Sequence, residues 1–365
     1  MVARTILLLS DVGGLAGSTQ SVASLAIHLR ARGHAVWVGR RAGEHLDALC
    51  LDAGLARPAL DFSSTAHLAA SVRALDARVR FDVVNPQATR DRRACALLRW
   101  QGALRRPLVV TRRTMPLTWF PELVAIGYTA DRTIAVSDAV RAALRRRGHP
   151  DRGLRVVPNG IRLDRVDAPP SPEADAFAER VLAPLAPRPI VLMVARRKDQ
   201  GVLLAALARV TRPVAVVFAG IHADAELARL AAALPDRHAV RFLGPVADPL
   251  PLYRRATVAV LPSRIEGLSQ ALLEAMALGV PVLASAAGGN PDLLTDDATG
   301  WLLPPLDASA WAHRLEAVLA DGARRARVGA AGRQLVRTRY TLEATAERTE
   351  AVYEEVLADH EARTA

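Results

Sequence analysis

Residues 262–282 read P-S-R-I-E-G-L-S-Q-A-L-L-E-A-M-A-L-G-V-P-V, with glutamates Glu266 and Glu274 on either side of a turn that becomes a helix. Gly267 permits the turn and Ser269 is a good N-cap. Ala271, Leu272, Leu273, Ala275 and Met276 then suit a mostly buried helix. Gly279 ends it and Val280-Pro281-Val282 opens a strand. A helix N-terminus gathers free N–H groups and a partial positive charge, so it favours a phosphate. Eight helical residues advance about 12 Å. Glu266 at the mouth and Glu274 two turns inward are then expected at opposite ends of a nucleotide-sized ligand.

Outward from this stretch, short apolar strands alternate with amphipathic helices through both halves, which predicts α/β architecture with parallel sheets covered on both faces. In the first half the strands are expected at Ile6–Leu9, Ala35–Val38, Phe81–Val84, Leu108–Thr111, Arg132–Val136 and Arg155–Val157. The second half restarts with Ile190–Val194, followed by Val214–Phe218, Val240–Leu243, Val258–Leu261 and Val280–Ala284. Helices at Ala308–Ala320, Arg324–Val336 and Leu342–Leu357 close the chain. The Pro169–Pro172 run reads as an interdomain linker. The expected division is therefore 1–168, 169–339 and a final helical segment 340–365.

A length of 365 residues favours two domains. There is no apolar run of about twenty residues for a spanning helix, and the apolar stretch at the N-terminus is too short for a secretory leader. Two cysteines, Cys50 and Cys95, provide neither a disulfide framework nor metal-ligand spacing. The expected location is cytoplasmic. The net charge of +11 is uneven: residues 1–165 hold 26 Arg against 13 acids, and the remainder holds 22 Lys plus Arg against 24 acids. That imbalance suggests an anionic partner for the first half. Trp100, Trp119 and Phe120 lie among Arg92, Arg93, Arg99, Arg105, Arg106, Arg112 and Arg113, a mixture that suits the inner face of an anionic membrane. No nucleic-acid motif accompanies the charge, and the nine histidines form no metal-type pair.

The Glu266–Glu274 segment, with S-R-x-E-G before it and G-V-P-V after it, resembles the E-x(7)-E signature of the retaining glycosyltransferases of family four. That resemblance implies the GT-B fold: two doubly wound Rossmann-like domains facing across a cleft, the acceptor on the first and the nucleotide sugar on the second. It implies that Glu266 lies against the donor sugar and Glu274 holds the ribose hydroxyls. The amides of Gly267, Leu268 and Ser269 would hold the diphosphate, and the last helix would cross back to the first domain. V-A-R-R-K-D-Q-G, Val194–Gly201, resembles the family's arginine and lysine motif. Arg196 and Lys198 are then the cations on the departing diphosphate, with Arg197 beside them. Lys198 is the single lysine of the chain, kept where a compact ammonium matters. Gln200 stands where the family usually has its lysine, so the register is shifted.

Further segments fit the same pattern. Gly13 and Gly14, in the Ser10–Ser18 loop, would bring backbone close to the donor. Gly288 and Gly289 would form a loop beside the sugar, with Asp292 replacing the usual glutamate. Gln87 and Arg113 occupy places that often hold histidines, so no histidine base is available there. Arg90, Asp91, Arg112 and Arg113 are candidate contacts to an anionic acceptor. The implied activity is metal-independent, retaining transfer from a nucleoside diphosphate sugar to a hydroxyl of a lipid-linked or polysaccharide glycan. It requires no cofactor or nucleic acid. A nucleotide-sugar epimerase and a non-catalytic nucleotide-sugar or glycan-binding paralogue are the alternatives.

Overall fold

The computed structural model describes residues 2–14, 17–116 and 120–364. It divides into two compact units, Met1–Gly160 with Leu342–Ala365, and Ile161–Thr341. In the first unit, β1 (Thr5–Leu9) lies between β2 (Ala35–Gly39) and β3 (Val83–Pro86), all parallel. A second parallel trio follows, with β5 (Arg132–Ala135) between β4 (Val109–Arg112) and β6 (Leu154–Val156). The trios meet where Val84 N donates to Pro107 O at 3.0 Å. Ile6, Leu7, Leu8 and Leu9 are all fully buried, as expected for a strand covered on both faces.

The second unit has six parallel strands in the order β12-β11-β10-β7-β8-β9. These are β7 (Ile190–Val194), β8 (Ala215–Ala219), β9 (Ala239–Phe242), β10 (Val258–Leu261), β11 (Val282–Ser285) and β12 (Trp301–Leu303). The edge strand β12 was not expected. Three residues are too few to show a period, and only its pairing with β11 defines it.

The unit boundary falls between Gly160 and Ile161, ahead of the Pro169–Pro172 run. That run is not a free linker. Ser171 Oγ accepts from Ala174 N at 3.2 Å and Pro172 opens the helix Pro172–Leu182, a start that proline favours.

The final helix, Leu342–Thr364, runs past its expected end and packs in the first unit's core through Ala346, Val352, Tyr353 and Val356. Its acids pair with the first unit's bases. Glu354 joins Arg4 at 2.8 Å, Glu350 joins Arg32 at 2.7 Å and His34 at 2.9 Å, and Glu355 joins Arg132 at 2.8 Å. This changes the reading of the charge. Residues 1–160 hold 24 Arg against 12 acids, but 342–365 add two Arg and seven acids, so the first unit carries +7 and the second +4. Most of the apparent asymmetry comes from cutting the chain at its midpoint.

Candidate functional site

The loop after β10 and the loop after β7 are clasped together in the second unit. Lys198 Nζ donates to Glu266 Oε1 at 2.5 Å and to Ile265 O at 3.2 Å. Beside it, Asp199 accepts from Arg264 N and Arg264 Nε, both at 2.9 Å. Glu266 is only 9% exposed, so its carboxylate has little water and the ammonium is its charged partner.

Gln200 explains the shifted register. Its fully buried side chain accepts from Lys198 N at 2.8 Å and donates to Arg196 O at 2.7 Å. It therefore braces the loop that presents Lys198. Arg196 is exposed on the same loop. The Arg197 guanidinium, also exposed on the loop, pairs with Glu226 at 2.5 Å and Asp224 at 3.3 Å.

Ser269 Oγ accepts from Leu272 N at 3.3 Å and caps the helix Gln270–Ala277, and Gly279 ends it at φ +80°. The helix begins only at Gln270, so Glu274 is its fifth residue. The expected two turns between the glutamates are a turn plus one helical turn. Gly267, Leu268 and Ser269 are buried where the turn meets the helix. Gly288 is held at φ +55°, and a Cβ there would lie 2.0 Å from Glu266 O. Gly289 N donates to that same oxygen at 3.1 Å. The glycine pair thus packs on the backbone of Glu266 and fixes where its side chain begins.

Glu274 accepts from Arg165 Nη1 at 3.3 Å, and Arg165 Nη2 donates to Asp248 Oδ1 at 2.8 Å. Burial raises the Glu274 pKa, and the Arg165 charge works against that rise. Arg165 was not read as functional, because nothing in its local pattern connects it to a helix 109 positions away.

In the first unit, Gly13 O accepts from Leu46 N at 3.0 Å, and a Cβ on Gly13 would lie 1.7 Å from Glu44 Oε2. Glycine is therefore needed there for packing within the unit. Gly14 faces open space. Leu15 and Ala16 of the same loop, and Trp119, lie outside the described residues.

Asp91 is not a surface contact for an acceptor. It is fully buried, and its Oδ2 accepts from Gln87 N at 2.7 Å and Ala88 N at 2.8 Å, capping the helix Thr89–Trp100. Burial pushes its pKa up to about 7. The folded protein then holds this proton more tightly than the unfolded chain, so the group adds stability as pH falls from above 7 toward 4. Asp91→Ala is expected to cost about 1–3 kcal/mol at pH 7 by stranding two buried N–H groups and to abolish that slope. Urea unfolding at pH 5 and pH 8 measures both; an unchanged midpoint would count against the cap.

Arg90 is half-buried and donates to Phe62 O at 2.6 Å. The arginine-rich stretch offers fewer free charges than its sequence suggests. Arg92 and Arg112 are buried, Arg99 pairs with Asp131 at 2.5 Å and Arg106 with Asp76 at 3.2 Å, while Trp100 stands 80% exposed. Among the described residues no helix is long and apolar enough to cross a membrane.

With this geometry in hand, residues 15–165 match the family model Glycosyltransferase Family 4, and residues 177–335 match Glycosyl transferases group 1. The chain belongs to this family of glycosyltransferases and has the GT-B fold. It is 34% identical over 226 residues to the GDP-mannose-dependent alpha-(1-6)-phosphatidylinositol monomannoside mannosyltransferase of Mycolicibacterium smegmatis, covering 57% of this chain and 58% of that one. It is 33% identical over 216 residues to the D-inositol 3-phosphate glycosyltransferase of Salinispora tropica, covering 59% and 45%. The matched region spans about half the length of these curated relatives. Among solved structures, Anabaena Alr3699/HepE in complex with UDP and glucose aligns with a TM-score of 0.85 at 21% identity, covering 96% of this chain and 100% of that one.

Proposed function

We infer that the protein is a retaining, metal-independent glycosyltransferase. It moves a sugar from a nucleoside diphosphate to a hydroxyl of a lipid-linked or polysaccharide glycan. The observation that carries this reading is the Lys198–Glu266 contact, with Gly288 and Gly289 packed on the Glu266 backbone. One ammonium and one carboxylate stand together before a capped helix, which supports reading its mouth as the meeting point of a diphosphate and its sugar. The relatives named above, a mannosyltransferase and an inositol phosphate glycosyltransferase, support the reaction class.

In this reading Glu274 accepts from the ribose hydroxyls and Glu266 from the donor sugar. Arg196, Lys198 and the Gly267–Ser269 turn meet the diphosphate as its bond to the sugar lengthens, so charge is stabilised where it develops. Retention follows if the departing phosphate oxygen takes the acceptor proton on the same face of the ring, which needs no histidine base. The ammonium and guanidinium do the work that a divalent cation does elsewhere.

The test is transfer from a nucleoside diphosphate sugar followed by NMR of the anomeric proton, with and without EDTA. The expected product keeps the donor's anomeric configuration at an EDTA-independent rate. An inverted product, or loss of activity in EDTA, contradicts the corresponding part of the reading.

A further inference from the structure

We propose that the first unit carries a phosphate-binding site for the acceptor, with the Arg113 guanidinium as its receptor. The proposal rests on the transferase reading and narrows its acceptor to a phosphate-bearing one.

Arg113 directly follows β4, at the carboxyl end of the strand, where α/β sheets place their ligands. Its Nε donates to Gln87 Oε1 at 2.9 Å and its Nη1 to Asn159 Oδ1 at 2.5 Å. Both acceptors are neutral amides, and they follow the carboxyl ends of β3 and β6. Gln87 is fixed in turn, because its Nε2 donates to Asn85 Oδ1 at 2.8 Å. Thr111 Oγ1 donates to that same oxygen at 2.9 Å, and Asn85 Nδ2 donates to Tyr353 OH at 2.6 Å. The guanidinium is thus held at the end of a buried polar chain and cannot swing freely.

What this fork lacks is a counter-charge. Burying a cation without an anion is costly, and three other arginines of the same unit have a carboxylate beside them. Arg40 has Asp47 at 2.7 Å, Arg99 has Asp131 at 2.5 Å, and Arg132 has Glu355 at 2.8 Å. Among the described residues Arg113 touches no carboxylate. Burial pulls its pKa down to about 10, so it remains a cation at neutral pH.

Two of its five N–H donors are used, which leaves both hydrogens of Nη2 and one of Nη1. A phosphate offers three oxygens and up to two charges to such a planar fork, the geometry in which arginine binds phosphate best. The half-buried Arg113 keeps a face open for it. The missing counter-ion is then the substrate itself.

The test is calorimetric titration of inorganic phosphate into the full chain carrying Lys198→Met, which silences the donor-side ammonium. Adding Arg113→Gln is expected to lower phosphate affinity by about tenfold or more, the effect of losing a charged hydrogen-bond pair. Adding Arg113→Lys instead should retain part of the affinity. Equal affinity with and without Arg113, or no phosphate binding by the parent at millimolar concentration, overturns the proposal.

Two further arms identify the source of the phosphate. Arg113-dependent binding of glycerol 3-phosphate supports a soluble phosphorylated acceptor. Arg113-dependent sedimentation with phosphatidylinositol vesicles, absent with phosphatidylcholine, supports a lipid headgroup. Nucleotide binding is measured separately on the wild-type protein. Nucleotide binding without phosphate binding overturns this site alone. Phosphate binding without nucleotide binding overturns the transferase reading and leaves an anion site.

Discussion

Lys198→Met is expected to leave the protein folded and lower kcat by on the order of a hundred- to a thousandfold, the usual loss for one group aimed at developing charge. Methionine keeps most of the length and apolar stem of the side chain while removing the ammonium. Some stability should be lost as well, because the nearly buried Glu266 carboxylate is left without its charged partner, while the one-third exposed Lys198 end of the pair limits that cost. The kinetic cost is larger because the diphosphate gains charge only as its bond to the sugar breaks. An interaction that strengthens in the transition state appears in kcat more than in KM. Steady-state kinetics with circular dichroism as a fold control checks this. An unchanged kcat removes Lys198 from the chemistry and leaves Arg196 and the helix N-terminus to meet the diphosphate.

The second large effect concerns nucleotide affinity. Glu274→Gln is expected to weaken nucleoside diphosphate binding about ten- to a hundredfold, because hydrogen bonds to a charged acceptor contribute about 1.5–3 kcal/mol. The pH dependence has a definite sign. Burial raises the Glu274 pKa, and only the carboxylate can accept from two hydroxyls at once, so affinity falls as pH drops through the raised value. Arg165 opposes that rise. In Arg165→Leu the loss of affinity should therefore begin at a higher pH, and Arg165→Lys should restore part of the profile.

Asp248 and Tyr253 also interact with this carboxylate, and Arg254 anchors the backbone next to Arg165. Asp248 raises its pKa further. Tyr253 donates its hydroxyl to Ala271 O at 3.0 Å in the same helix, and Arg254 binds Val166 O and Ala168 O beside Arg165. Stability moves the other way from affinity. An acid whose pKa is higher in the fold holds its proton more tightly there, so ionised Glu274 costs stability at neutral pH. Glu274→Gln should then unfold no earlier than the wild-type protein while binding nucleotide more weakly. Calorimetric titration of the nucleotide from pH 5 to pH 8, with thermal unfolding alongside, reads both effects. Unchanged affinity in Glu274→Gln removes the ribose role.

Much of the second unit could be read locally. Ser269, Gly279 and the apolar run between them set a helix by short-range rules, and the lone lysine pointed to its loop by composition. The sequence did not disclose what depends on distant pairing. Gly288 is needed because Glu266 O lies where its Cβ would be. Gln200 resembled a defect in the family pattern, yet it braces the loop through two backbone groups. That removes one reason to suspect a non-catalytic paralogue.

The first unit was harder to interpret for the same reason. Its arginines suggested an open basic surface until the final helix, distant in sequence, supplied carboxylates to several of them. Asp91 looked like a ligand contact, and only the backbone geometry around Gln87 and Ala88 identifies it as a cap.

The most direct test of the central claim is thermal unfolding of the full chain with UDP, GDP, ADP, TDP and CMP in turn. A ligand that binds only the folded state stabilises it by about 2.7 kcal/mol at a hundred times its Kd. One nucleoside diphosphate is expected to raise the Tm clearly, and that shift should shrink in both Glu274→Gln and Lys198→Met. If no nucleotide stabilises the protein at millimolar concentration, the second unit is not a donor site and the account fails there.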